Sequence, residues 1–215
     1  MRGIEVRNIL IAINLLLIGA IIGVGFFWEP EPDRTPLPGT HAARMVADVT
    51  LAAAPTGGDF TLDGPRGPTS LHDFKGKLVL LQFGYTYCPD ICPTALTLIT
   101  DALGRLTPEE LARVQVIFVS VDPGRDTVAR LAEYTNFFHP AIIGLTATPE
   151  RLKEVTDRYG AVFVRQESVS AGGYVIDHTA MTYLISPDGQ LTASLPHAMP
   201  ANTLLAEIRK HLPPP

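Results

Sequence analysis

Beyond residue 55 the chain alternates two kinds of apolar pattern. Residues 78–84 (LVLLQFG) and 114–121 (VQVIFVSV) are continuous apolar runs, as in strands buried on both faces of a parallel sheet. Between them, residues 92–106 place Leu96, Ile99, Leu103 and Leu106 at helical spacing. Asp126 stands where it can cap a helix running to Thr135. Residues 142–145 read as a short strand, and Thr148-Pro149 supplies a cap and a first helical position for a helix to Tyr159. Residues 161–165 read as a further strand and 166–177, with Gly172 and Gly173, as a loop. Residues 181–185 and 190–195 form a hairpin around SPDG, and 201–212 a final helix. Upstream, residues 59–62 and 69–71 flank the turn-rich DGPRGP as a first hairpin. Strands joined by helical crossovers, then a hairpin and a helix, predict an α/β domain with a mixed sheet flanked by helices. A thioredoxin-like arrangement fits, because the two cysteines fall where a buried strand passes into the next helix.

The first residues follow another pattern. Residues 9–28 carry no charge and one polar residue, Asn14. Twenty helical residues at about 1.5 Å each span about 30 Å, the hydrocarbon thickness of a bilayer. Arg2 and Arg7 precede the segment; Glu29, Glu31 and Asp33 follow it, and Phe26, Phe27 and Trp28 close it like an interfacial belt. The expectation is a single-pass anchor in a bacterial-type inner membrane, N-terminus cytoplasmic and the rest periplasmic, where disulfides are permitted. A cleaved signal peptide is the competing reading: Gly23 and Gly25 suit its small positions, but no A-x-A site is present. Residues 29–40 (EPEPDRTPLPGT) hold four prolines, a semi-rigid spacer. The chain thus divides into an anchor (1–28), a Pro/Ala-rich linker (29–55) and one folded domain (56–215).

Composition narrows the classes. Among 215 residues, 17 are basic and 22 acidic, a net charge of −5 without a Lys/Arg block, so nucleic acid is not an expected partner. An apolar content of 46% with 18% charged residues excludes a disordered chain. Two cysteines cannot build a disulfide framework or a four-thiolate zinc site.

Those two form Cys88-Pro-Asp-Ile-Cys92, on the turn from a buried strand into an amphipathic helix. Positions i and i+4 share a helix face, and a helix N-terminus favours thiolate. An inert disulfide closing five residues would contribute only about 2 kcal/mol and join nothing distant. Two readings remain: a dithiol that exchanges electrons, or two thiolates that hold a soft metal such as Cu(I). A metal needs a further ligand. His41 lies in the linker and His211 in the last helix; His72 and His139 read as loop residues and His197 as a surface turn. His178 differs, lying on the loop that enters an apolar strand, after a glycine pair and beside Asp177. Met181 and Met199 read as packing residues.

GYTYCPDICPTAL, VSVDPGRDT and DHTAMTYLISPDG together resemble the Sco/SenC family over residues 55–212. The resemblance implies that Cys88, Cys92 and His178 bind one copper, as Cu(I) or Cu(II). It further implies copper delivery to cytochrome c oxidase, at the binuclear centre of subunit II, with other copper chaperones and thiol reductants as further partners. Cys88 and Cys92 would also form a redox-active disulfide. Asp90, Asp122 and Asp177, acidic residues within the motifs, would support the ligands or face a partner; Asp122 and Asp126 equally fit turn and cap roles. A metallochaperone is not an enzyme. The alternatives from other classes are a periplasmic thiol–disulfide oxidoreductase acting through Cys88 and Cys92, a peroxidase, and a copper or redox sensor. Against a peroxidase, the Thr-to-Cys offset in TYC is one residue short of T-x-x-C.

Overall fold

Leu78–Gly84 and Val114–Ser120 form parallel neighbours, paired residue for residue from Leu78–Val114 to Gly84–Ser120. The computed structural model containing them describes residues 55–167 and 173–213, within one unit spanning Ala53–Pro215. The expected anchor and most of the linker lie outside the described residues, among which no helix is long and apolar enough to cross a membrane.

In chain order the elements are β1 (Thr61–Gly64), β2 (Gly67–Ser70), a 3₁₀ turn (Leu71–Phe74), β3 (Leu78–Gly84), α1 (Ile91–Leu103), α2 (Pro108–Ala112), β4 (Val114–Ser120), α3 (Val128–Phe138), β5 (Ile142–Leu145), α4 (Pro149–Arg158), β6 (Phe163–Glu167), β7 (Tyr174–His178), β8 (Met181–Ile185), β9 (Leu191–Pro196) and α5 (Ala201–His211). The main sheet has the order β5-β4-β3-β8-β9. The first three strands are parallel, and β8 and β9 add antiparallel. This is the thioredoxin-like mixed sheet that the alternation predicts. β3 is central and every residue of it is buried, which explains its unbroken apolar run. α1 packs on α5 and α3, and its inward row includes Leu96, Ile99 and Leu103. Leu106 lies beyond the helix end yet still enters the core.

Three expectations need correction. Residues 166–177 are not all loop: Tyr174–His178 is a strand, antiparallel to β6 in a separate two-stranded sheet. Only Ile176 of that strand is buried, so it lacks the apolar run that marks the core strands. Asp126 does not cap α3; Thr127 does, its hydroxyl accepting from the Arg130 N–H. The first hairpin is shifted two residues toward its turn and takes in Gly64 and Gly67. A Cβ on Gly64 would lie 2.6 Å from Thr69 Oγ1 and 2.7 Å from Leu145 Cδ2, so this close approach needs glycine. One helix escaped the pattern altogether. α2 is too short for periodicity, although Thr107-Pro108-Glu109-Glu110 spells a capping box with proline at its start, and both capping bonds form.

Candidate metal centre

The site starts at the carboxyl end of β3. The last residue of that strand is Gly84, where nothing larger fits: a Cβ there would lie 2.6 Å from Cys92 Sγ and 2.7 Å from Phe118 Cε2. The chain then turns through residues 85–90. Tyr85 is buried and Tyr87 exposed, and Cys88 N–H donates to the Tyr85 carbonyl at 3.2 Å. The carboxylate of Asp126 holds this turn from below. It is fully buried and accepts from Thr86 N at 2.9 Å, Thr86 Oγ1 at 2.6 Å and Ser120 Oγ at 2.6 Å.

Cys88 stands just before α1, at 9% exposure, and Cys92 is the second helical residue, at 3%. Both are free thiols, and Cys92 N–H donates to Cys88 Sγ at 3.4 Å, as helix-start N–H groups do for an anion. That donation favours Cys88 as the thiolate of the pair. Its pKa falls to about 3, mainly because the Cys92 thiol donates to it; burial opposes, and His178 helps. Cys92 is pushed the other way, by holding the proton it donates to Cys88 and by burial. The pair thus loses its first proton easily and its second with difficulty.

His178, expected on a loop, is the last residue of β7, opposite Phe163 of β6. Its Nε2 lies 3.4 Å from Cys92 Sγ. Nδ1 lies 3.2 Å from the Thr179 carbonyl, which can only accept, so in the neutral ring that takes a metal Nδ1 carries the proton and Nε2 is the ligand atom. Tyr85 packs edge-on against the imidazole, ring centroids 6.0 Å apart. One donor atom from each of Cys88, Cys92 and His178 lies within 4.8 Å of the others. The structure therefore brings together two residues of one motif and a third 86 positions beyond Cys92. Two thiolates and an imidazole suit a soft or borderline ion such as copper or zinc.

The three acidic residues diverge. Asp90 is exposed at the start of α1 and makes no capping bond; its Oδ1 accepts from Thr94 Oγ1. Asp177 is exposed and, with Tyr85, Cys88, Ile91 and His178, lines an open groove of about 330 Å³ beside the site. Asp122 is buried, in an ion pair with Arg125 Nε at 2.6 Å and accepting from Tyr174 Oη at 2.6 Å, so it does not face a partner. Behind Cys92 and His178 a cavity of about 10 Å³, the size of one water, is lined also by Met181 and His197. His197 sits in a turn, as expected, but half-buried against the site. Sequence reasoning missed Gly84, Tyr85 and Tyr174. A strand-terminal glycine before a cysteine motif was the available signal for the first, and Tyr85 follows it in the same motif; Tyr174 carried none.

Known proteins match this arrangement. Residues 48–213 match the family model described as SCO1/SenC. The mitochondrial SCO2 homolog of Bos taurus is 39% identical over 205 residues, which cover 92% of this chain and 74% of the relative. Among solved structures, apo Sco1 from Thermus thermophilus is 39% identical with a TM-score of 0.67, covering 74% of this chain and 92% of that one. Arabidopsis thaliana ScoI with copper bound is 34% identical with a TM-score of 0.68, covering 73% and 97%. With a family model spanning most of its length and these likenesses in sequence and fold, the chain belongs to the SCO1/SenC family.

Proposed function

We propose that this protein is a membrane-anchored copper chaperone, which takes one copper on Cys88, Cys92 and His178 and delivers it to cytochrome c oxidase during assembly. The observation that carries this reading is the convergence of three donor atoms within 4.8 Å from the turn after β3, the start of α1 and the end of β7. The Arabidopsis relative solved with copper bound supports it, and so does the family resemblance of all three motifs. Copper here is cargo. Two sulfurs suffice for Cu(I), and the imidazole adds the ligand that Cu(II) prefers. Few ligands beside an open groove leave room for an acceptor to take the ion. The acceptor is the copper centre of subunit II, and the domain works on the periplasmic side of an inner membrane, held by residues 9–28.

Copper titration of the reduced chain, followed by transfer to the metal-free copper domain of the oxidase, tests the proposal. About one copper per chain and net transfer are expected. His178→Ala should weaken Cu(II) binding far more than Cu(I) binding, whereas His72→Ala and His139→Ala should leave both unchanged. Wild-type Cu(II) binding by His178→Ala would overturn the ligand assignment. A second reading, thiol–disulfide exchange, draws on one observation: two free thiols meet at a helix start, where the Cys92 N–H donates to Cys88 Sγ and favours its thiolate. Dithiol exchange by a chain that takes no copper would favour it.

A further inference from the structure

The β6–β7 hairpin that carries His178 shares no ladder with the main sheet among the described residues, so something else must set the distance from His178 to the cysteines. Hydrogen bonds at Tyr174 and Ile176 tie β7 to the body. Tyr174, Ile176 and His178 alternate onto the same side of the strand. Ile176 N–H donates to the hydroxyl of buried Tyr85 at 3.1 Å. At the far end from His178, Tyr174 Oη donates to Asp122 Oδ1 at 2.6 Å, and Arg125 Nη1 donates to the Tyr174 carbonyl at 3.1 Å. The guanidinium carbon of Arg125 lies 3.6 Å from the Tyr174 ring centroid and that of Arg165 lies 3.7 Å from it. Two atoms so close to one centroid occupy opposite ring faces, so Tyr174 is sandwiched between two cations.

The same short turn also holds the cysteine side. Asp126, four residues after Asp122, grips Thr86, two residues before Cys88. Ser120 Oγ joins the two, accepting from Asp122 N–H at 3.0 Å and donating to Asp126. Residues 120–126 therefore grip the turn that bears the cysteines with one carboxylate and the hairpin that bears the histidine with the other.

We propose that this turn is a gauge for the metal site, with Tyr174, Asp122 and Arg125 as positioning residues that hold His178 at copper-binding distance from Cys88 and Cys92. The inference rests on the copper reading above. Residues that orient a metal ligand typically change affinity 10- to 100-fold when altered. Because Cu(I) can rest on the two thiolates and Cu(II) calls on the imidazole, loosening the gauge weakens Cu(II) selectively.

The test is Tyr174→Phe in the full chain, purified in mild detergent; it keeps the ring between its two cations and removes only the bond to Asp122. Expected are a loss of Cu(II) affinity of about 10-fold or more, a shifted thiolate-to-Cu(II) charge-transfer band, and unchanged Cu(I) affinity. In the metal-free reduced chain, the NMR resonances of the His178 imidazole should move, which reports its position without copper. Arg125→Lys, which loses the planar contact and the bond to the Tyr174 carbonyl, should act in the same direction and decides the matter if Tyr174→Phe does not fold. Wild-type Cu(II) affinity, an unshifted band and unmoved imidazole resonances in a folded variant would overturn the proposal. A wild-type chain that takes no copper overturns the copper reading instead, and the imidazole resonances then judge the positioning by themselves.

Discussion

Gly84 and Cys92 share one space. A methyl group at Gly84 would meet Cys92 Sγ and the Phe118 ring at distances real Cβ atoms do not show. Gly84→Ala should therefore destabilise the fold by about 1–3 kcal/mol, read as a lower urea midpoint, and shift the copper charge-transfer band because Cys92 must move. An unchanged midpoint and band would show that Cys92 has another place to go. Cys88 supports a second prediction. An ordinary thiol loses reactivity tenfold per pH unit below a pKa of about 8.5. Cys88 is held well below that value by the Cys92 thiol that donates to it, so it should keep its thiolate to lower pH. Its alkylation by iodoacetamide should stay nearly constant from pH 8 to pH 5, with Cys92 reacting only after it. A rate falling tenfold per unit below pH 8 would place the proton on Cys88 instead. Neither cysteine's role was open to composition; the five-residue motif and its place at a helix start made both legible.

Among the elements, α3 separates a cap from a core carboxylate. Thr127 caps it with one exposed hydrogen bond, so Thr127→Ala should cost about 1 kcal/mol. Asp126 receives three hydrogen bonds with no exposure at all. Asp126→Ala would strand the Thr86 N–H and two hydroxyls, at about 1–3 kcal/mol for each buried group left unsatisfied. Urea unfolding should show the loss at Asp126 to be at least twice that at Thr127; equal losses would return Asp126 to the cap role that its sequence position suggests. Two adjacent residues of cap-like type look alike in a sequence, because the difference lies in Thr86 and Ser120, 40 and 6 positions away. β7 was illegible for a related reason. Its pairing with β6 bridges residues 163–178, and in half-exposed YVIDH the apolar run stops after three residues, too short to stand out beside the glycine pair. The long buried strands and α4, with its Thr148 cap and Pro149 start, were legible because their signals are local.

Across the molecule, the proposed copper site and a Cys88–Cys92 disulfide would draw on the same two sulfurs. Metal binding requires thiolates, and a Cys88–Cys92 disulfide removes both. The oxidised chain should bind no Cu(I) until a reductant is added, after which it should take about one equivalent. Stoichiometric Cu(I) binding without reductant would separate the metal site from the cysteine pair. Closing so short a loop stabilises the fold by only about 2 kcal/mol in the chain-entropy account, so calorimetry should find a modest rise in Tm on oxidation and no change of fold.

The sequence by itself determined the alternation of buried strands and helices, the motif that puts two cysteines where a strand passes into a helix, and the resemblance that singles out His178. These are local matters: side-chain periodicity, capping and a five-residue motif at a helix entry. Only the tertiary structure decided that His178 Nε2 comes 3.4 Å from Cys92, that Thr179 leaves that nitrogen free to bind, and that Asp122 is buried under Tyr174 instead of facing a partner. Each of those depends on chain segments tens of residues apart meeting around a common core, and one-dimensional patterns do not encode which distant backbone will supply the last hydrogen bond.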